Sequence, residues 1–281
     1  MGIWIPPNGG IGPTQTNITA ADRNGTTITT SGTAHTKGAY SAGQLIATAD
    51  QDTYGLTVVV DGVAVTNTNT RYLLDIGVGA SGSERTLIEN LNVGFAGGGA
   101  TEGRPKSWFF PVFIPQGERL SARGQALAVS DIAEVGVYLH QSAAGYGMEV
   151  PTLWEGLGIS TAASQGTNVT PASGSFGSWT TILDPITKDY KWWHVGYGAS
   201  TDTTIATGGI TVVQIGIGDT SGAVTTIGEW VFYSGQNEII TGPFPSEPVY
   251  WPINADTVNG VFARLASFET EVRDVAVYAA E

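Results

Sequence analysis

The stretch Leu73–Leu91, LLDIGVGASGSERTLIENL, lies without a gap on Val212–Trp230, VVQIGIGDTSGAVTTIGEW, at a shift of 139 residues. Ile76/Ile215, Gly77/Gly216, Gly79/Gly218, Thr86/Thr225 and Ile88/Ile227 are identical. Each copy reads as a β-hairpin, two apolar strands flanking a Gly/Ser turn. Glycine before the turn has a folding reason, since tight turns need positive φ or close backbone approach. A phosphate-cradling loop would lead into a helix, whereas this turn leads into a second strand.

Other segments follow in the same order at nearly the same shift. Phe110–Arg123 lies on Trp251–Arg264, matching Pro111/Pro252, Ala122/Ala263 and Arg123/Arg264, and EVGVYL from Glu134 lies on DVAVYA from Asp274. Trp4 precedes Asn17-Ile18-Thr19 much as Trp154 precedes Asn168-Val169-Thr170. Collinear segments at a near-constant shift indicate tandem duplication, with a period too long for a solenoid. We therefore expect an extended N-terminal arm over 1–20, a first β-sandwich over 21–150 and a second over 151–281. Strand signals recur between Gly, Pro and Asn turns, seven or eight per half. The fold class is all-β, two tandem antiparallel sandwiches of jelly-roll type, each with its own core. One continuous sheet through both halves, or two unrelated folds, would count against the duplication itself.

Composition narrows function. The 281 residues include 39 glycines and no cysteine, which excludes disulfides, thiolate metal sites and cysteine nucleophiles. Asp and Glu number 25 against 12 Lys and Arg, a net charge of −13. That balance disfavours nucleic-acid phosphate and anionic lipid as partners. No apolar run is long enough to span a bilayer as a helix, and the N-terminus does not read as a secretory signal.

Catalytic signals are sparse. His35, His140 and His194 have no metal-ligand spacing, and no G-x-S-x-G elbow occurs. Glu89, Glu118, Glu134, Glu229, Asp256 and Glu271 qualify as paired carboxylates by residue type alone, and a solvated acidic surface is the simpler reading. Asp50, Asp52 and Asp61 lack the spaced ligands of a calcium loop. We expect no cofactor, no metal and no enzymatic activity.

The aromatics are more informative. Neighbours in a strand point to opposite faces, so one of Trp192 and Trp193 is expected in the core and the other outward. An outward ring near Tyr190 and Tyr197 would stack on a sugar, anchor a protein interface, or lie beneath a loop or the other domain. If Ala122 and Ala263 face the core, Arg123 and Arg264 face out, for cross-strand pairing or a repeated interface. The arm, GIWIPPNGGIGPTQT, cannot be helical through Pro6-Pro7, and Ile3, Trp4 and Ile5 need a surface to dock on.

A tandem of Gly/Thr-rich sandwiches, acidic and cysteine-free, opening on an apolar-proline arm, resembles bacteriophage and gene transfer agent virion accessory proteins of the head decoration, fibre, tail or collar type. The resemblance covers the chain in style and carries no diagnostic motif. It implies a multicopy or homo-oligomeric protein that docks on capsid or tail proteins, is made in the host cytoplasm and is released by lysis, with contact to a host-surface glycan as a further expectation. The alternatives are a carbohydrate-binding protein and, third, a glycan-degrading enzyme.

Overall fold

The computed structural model describes residues 14–19, 25–64, 70–96, 106–127, 129–141, 150–161, 166–199, 209–219, 223–234, 244–245, 248–267 and 272–281. Ile3, Trp4 and Ile5, and with them the proposed docking arm, lie outside the described residues, as does Glu271.

The first half contains β1 (Gln15–Thr16), β2 (Thr26–Thr29), β3 (Gln44–Ile46), β4 (Thr53–Ala64), β5 (Thr70–Val78), β6 (Arg85–Ala96), β7 (Lys106–Ile114), β8 (Leu120–Ala126) and β9 (Ile132–His140). The second contains β10 (Trp154–Leu157), β11 (Thr167–Val169), β12 (Ala172–Ser173), β13 (Thr180–Leu183), β14 (Tyr190–Ala199), β15 (Gly209–Gly218), β16 (Val224–Ser234), β17 (Phe244–Pro245), β18 (Val249–Ile253), β19 (Gly260–Ser267) and β20 (Arg273–Ala280). A 3-10 turn at Tyr40–Ala42 precedes β3.

In the first half β2-β9-β4-β7 are paired in one sheet and β3-β8-β5-β6 in the other. This is the double-sheet wrapping of a jelly roll. In the second half β11-β20-β14-β18 and β13-β19-β15-β16 repeat it strand for strand. Registers repeat too. Asp75 lies opposite Arg123 as Gln214 lies opposite Arg264. Thr57 lies opposite Tyr138 as His194 lies opposite Tyr278.

Two local alignments need correction. β1 and β10 are counterparts, because Gln15-Thr16 pair with Leu139-Tyr138 as Glu155-Gly156 pair with Ala279-Tyr278. Trp154 therefore corresponds to Thr14 and not to Trp4, and Asn168 corresponds to Thr27 and not to Asn17. Likewise Leu56 pairs with Phe110 as Trp193 pairs with Val249, so β7 and β18 match two residues away from the Pro111/Pro252 alignment.

The outcome set against duplication occurs, because a ten-stranded sheet runs through both halves. The repeated pairing and registers keep the duplication, and what the sheet overturns is a separate core for each half. The link is β10. It pairs antiparallel with β20 and, through Trp154 opposite Ile88, parallel with β6. The inner sheet of the first jelly roll thus continues into the first sheet of the second, and a five-stranded sheet from each half packs on it. One core cluster joins residues of both halves, with Leu74, Ile88 and Phe110 beside Trp154, Trp192 and Tyr278. The other lies within the second half, around Trp193, Val195, Ile215 and Val277.

The opening hairpin shows why its glycines recur. Gly79 has φ +126, and a Cβ on its counterpart Gly218 would fall 2.2 Å from the Ala223 carbonyl oxygen. One copy needs left-handed backbone and the other needs close approach.

Candidate functional site

Trp192 and Trp193 do alternate between the two faces of β14, but neither faces out. Their exposures are 0% and 1%, and Tyr190 and Tyr197 are each 2% exposed. Trp193 packs in the second core, as predicted for one of the pair, and its Nε1 donates to the Trp251 carbonyl at 2.8 Å. Trp192 belongs to the core shared with the first jelly roll. Alternation holds, and the outward face of β14 is covered because the shared sheet is packed on both sides. None of these four rings is available to a sugar in this chain.

His194 lies on that same covered face and is 0% exposed. Its ring stacks on Phe110 of β7 at 5.3 Å and meets Trp154 and Tyr278 edge-on at 6.4 and 6.2 Å. Neither ring nitrogen makes a hydrogen bond of good geometry. Burial pushes its pKa down to about 3, partly opposed by the Val195 backbone. Tyr278 is engaged from the first half, its hydroxyl accepting from the Asn92 backbone N–H at 2.7 Å. Trp154 Nε1 donates to the Pro111 carbonyl at 2.9 Å. The junction is thus an aromatic cage with a neutral histidine inside it.

Arg123 and Arg264 extend from the face opposite the core, Ala122 and Ala263 being fully buried behind them. Both are occupied within the chain. Arg123 Nε bonds Asp75 at 2.9 Å, and its guanidinium lies 4.3 Å from the Tyr40 ring centre. Arg264 Nε donates to Gln214 at 2.8 Å, and its guanidinium lies 4.2 Å from the Trp179 ring centre. Under each ring sits a repeated glycine. A Cβ on Gly77 would fall 2.7 Å from Tyr40, and one on Gly216 would fall 2.8 Å from Trp179. Each half therefore carries a glycine, aromatic and arginine stack that clamps a loop to the outer face of its inner strands. Burial and the Asp75 charge push the Tyr40 hydroxyl up to about 12, so it stays protonated and bonds Thr86 at 3.1 Å.

A cleft of about 390 Å³ opens beside β10, lined by Lys37, Glu89, Asn90, Glu155, Ser160 and Tyr190 among others. Lys37 bridges Asp75 and Glu89 at 2.9 and 3.0 Å. Across the cleft Glu155 pairs with Lys188 and accepts from the Tyr190 hydroxyl at 3.3 Å. Asn90, held at φ +54, donates its backbone N–H to Asp75 at 2.8 Å and its side-chain amide to the Ile159 carbonyl at 2.9 Å. Gln125 reaches both Asn90 and the Ser160 carbonyl. Each cleft carboxylate has a cation beside it, and the polar groups tie one jelly roll to the other.

The remaining sequence candidates are scattered. Glu134 accepts from Thr27, Glu229 from Gln214, and Asp256 from the N–H groups of Val258 and Asn259, which lower its pKa. Asp52 accepts from the Gln116 N–H, while the Asp50 backbone bonds Gln15 and Gln116. Among the described residues no three acidic or histidine side chains converge as a metal site would require. Sequence reasoning passed over Trp251 and Val231, which are 47% and 64% exposed. Their counterparts in the repeat, Val112 and Asn92, are buried, so the exposure is set by what covers each half and not by the pattern.

No family model and no curated protein matches this chain. Among solved structures it is similar to the STIV MCP, from Sulfolobus Turreted Icosahedral Virus, at 12% identity and a TM-score of 0.37, over 90% of this chain and 93% of that one. It is also similar to the CBM22-1-CBM22-2 tandem domain of Paenibacillus barcinonensis Xyn10C at 9% identity and a TM-score of 0.23, over 89% and 98%. The stem and receptor-binding domain of spike protein P1 from bacteriophage PM2 gives 9% identity and 0.22, over 88% and 97%. These superpositions are too loose to carry an argument, and the fold rests on the strand pairing above. The class is that of an all-β protein of two jelly rolls welded through one sheet.

Proposed function

We propose that this chain is a non-enzymatic structural component of a virus-like particle, docking on capsid or tail proteins in many copies. The observation that supports it most is the welded junction. A continuous sheet and a shared aromatic core make two jelly rolls into one stiff block, and jelly rolls are a recurrent capsid architecture. The polar residues of the junction cleft pair with one another and brace the two halves, as a building block requires. The carbohydrate-binding alternative is weaker, because Tyr190, Trp192, Trp193 and Tyr197, its proposed platform, are buried.

Density-gradient fractionation of lysates from the producing cells, followed by quantitative mass spectrometry of the particle band, tests the proposal. Stoichiometric recovery with particles is expected. Recovery only in the soluble fraction, or turnover of a polysaccharide by the purified chain abolished by Glu155→Gln, would overturn it.

A further inference from the structure

The internal junction has two sides, and each side has a counterpart in the other jelly roll that no described strand covers. The accepting side belongs to the first jelly roll. It consists of the outer edge of β6, where Asn92 donates its N–H to Tyr278, and of the β7 residues Phe110 and Val112, both 0% exposed. In the second jelly roll the counterpart of Asn92 is Val231, since Leu73 pairs with Asn92 as Val212 pairs with Val231. Phe110 and Val112 correspond to Val249 and Trp251 by the pairing of β7 and β18. These three are 64%, 38% and 47% exposed, and β16 ends its sheet with no further strand beside it among the described residues.

The donating side belongs to the second jelly roll. It consists of β10 and of the covered face of β14 and β20, carrying Trp192, His194 and Tyr278. Its counterparts in the first jelly roll are β1 with Gly55, Thr57 and Tyr138. Among the described residues β1 also lies at the end of its sheet, and Thr57, Val59 and Tyr138 on that face are half-exposed. A sheet edge with unpaired backbone groups is a template for another strand, and exposed Trp and Val beside it mark a contact surface.

We propose that a second copy of this chain docks head to tail. The β1 edge and the adjoining face of one copy seat on the β16 edge and the Val249–Trp251 face of the next, repeating between copies the junction that β10 makes within one. In this contact Tyr138 of one copy accepts from the Val231 N–H of the other, as Tyr278 accepts from Asn92. The interface is heterologous, so it generates a ring or a filament and not a two-fold dimer. The inference stands on the repeat and does not require the particle reading.

The test uses the full chain in sedimentation velocity over a concentration series. Two variants, Val231→Lys on the accepting side and Val59→Lys on the donating side, each place one charge in the proposed contact at an exposed or half-exposed position. Both should keep the wild-type circular dichroism and melting temperature. Wild type is expected to form higher oligomers, and each variant alone to associate at least about 100-fold more weakly, since an unpaired buried charge at an interface is costly. Mixed in equal amounts, the two variants retain one intact side each and should stop at a heterodimer. Wild type that stays monomeric up to its solubility limit would overturn the proposal. So would oligomers indifferent to both lysines, or variants that fail to pair when mixed, because a head-to-tail contact cannot behave in those ways.

Discussion

Replacing His194 with Phe should flatten the acid side of the stability curve. The imidazole is enclosed by Phe110, Trp154 and Tyr278, and its pKa is held at about 3 by burial. No acidic side chain is among these rings to stabilise an imidazolium. In the unfolded chain a histidine titrates near about 6.5. The unfolded state therefore binds the proton first, and the native state loses stability as pH falls from about 6.5 toward about 3. Integrating between those two values, the loss from about pH 7 to about pH 5 is roughly 2 kcal/mol for this one group. A phenyl ring occupies much the same space and preserves the stack on Phe110. It breaks no hydrogen bond of good geometry at the ring nitrogens. Urea midpoints of wild type and His194→Phe, measured across that range, check the reasoning. Carboxylates titrate in both proteins, so the difference between the curves isolates His194. The variant should gain on wild type by about 2 kcal/mol at the acid end. Parallel curves would show that His194 is not held neutral in the native cage.

Three further outcomes follow from the geometry. Gly77→Ala should cost about 1–3 kcal/mol by forcing Tyr40 off its glycine, and the loosened ring should be detected as faster hydrogen exchange around Tyr40–Ala42. Tyr72→Phe should cost about 1–3 kcal/mol in a denaturant titration, because the buried hydroxyl donates to the Ile28 carbonyl at 2.9 Å. Trp154→Ala should cost about 3–5 kcal/mol, since it leaves a cavity in the shared core and removes the bond to Pro111. That variant should also let the two halves melt separately in calorimetry.

Much of the fold was legible because glycine, strand alternation and collinear repeats are local signals. The quoted hairpin carried its turn chemistry in Gly79 and Gly218, and Ala122 and Ala263 announced which face of their strands is core. What failed was long-range pairing. Nothing in Trp154–Leu157, WEGL, signals that the strand bridges two jelly rolls, so of the readings open to the outward tryptophan the sequence could not single out burial against the other domain, which is where Trp192 lies. The Trp4/Trp154 and Pro111/Pro252 matches misled because identities near turns and proline do not fix register, whereas partner strands do. The arginines were read as pairing or interface, and the structure shows a third partner in the aromatic ring over each repeated glycine. Trp251 was passed over because its exposure depends on what the opposite sheet fails to cover, which pattern alone does not reveal.

Differential scanning calorimetry of the intact chain tests the central claim most directly, that two jelly rolls share one sheet and one core. The account predicts a single transition whose calorimetric and van't Hoff enthalpies agree, because breaking β10 away from β6 exposes the aromatic cage of both halves together. Two resolved transitions in the wild-type chain, each with the enthalpy of half the molecule, would contradict it.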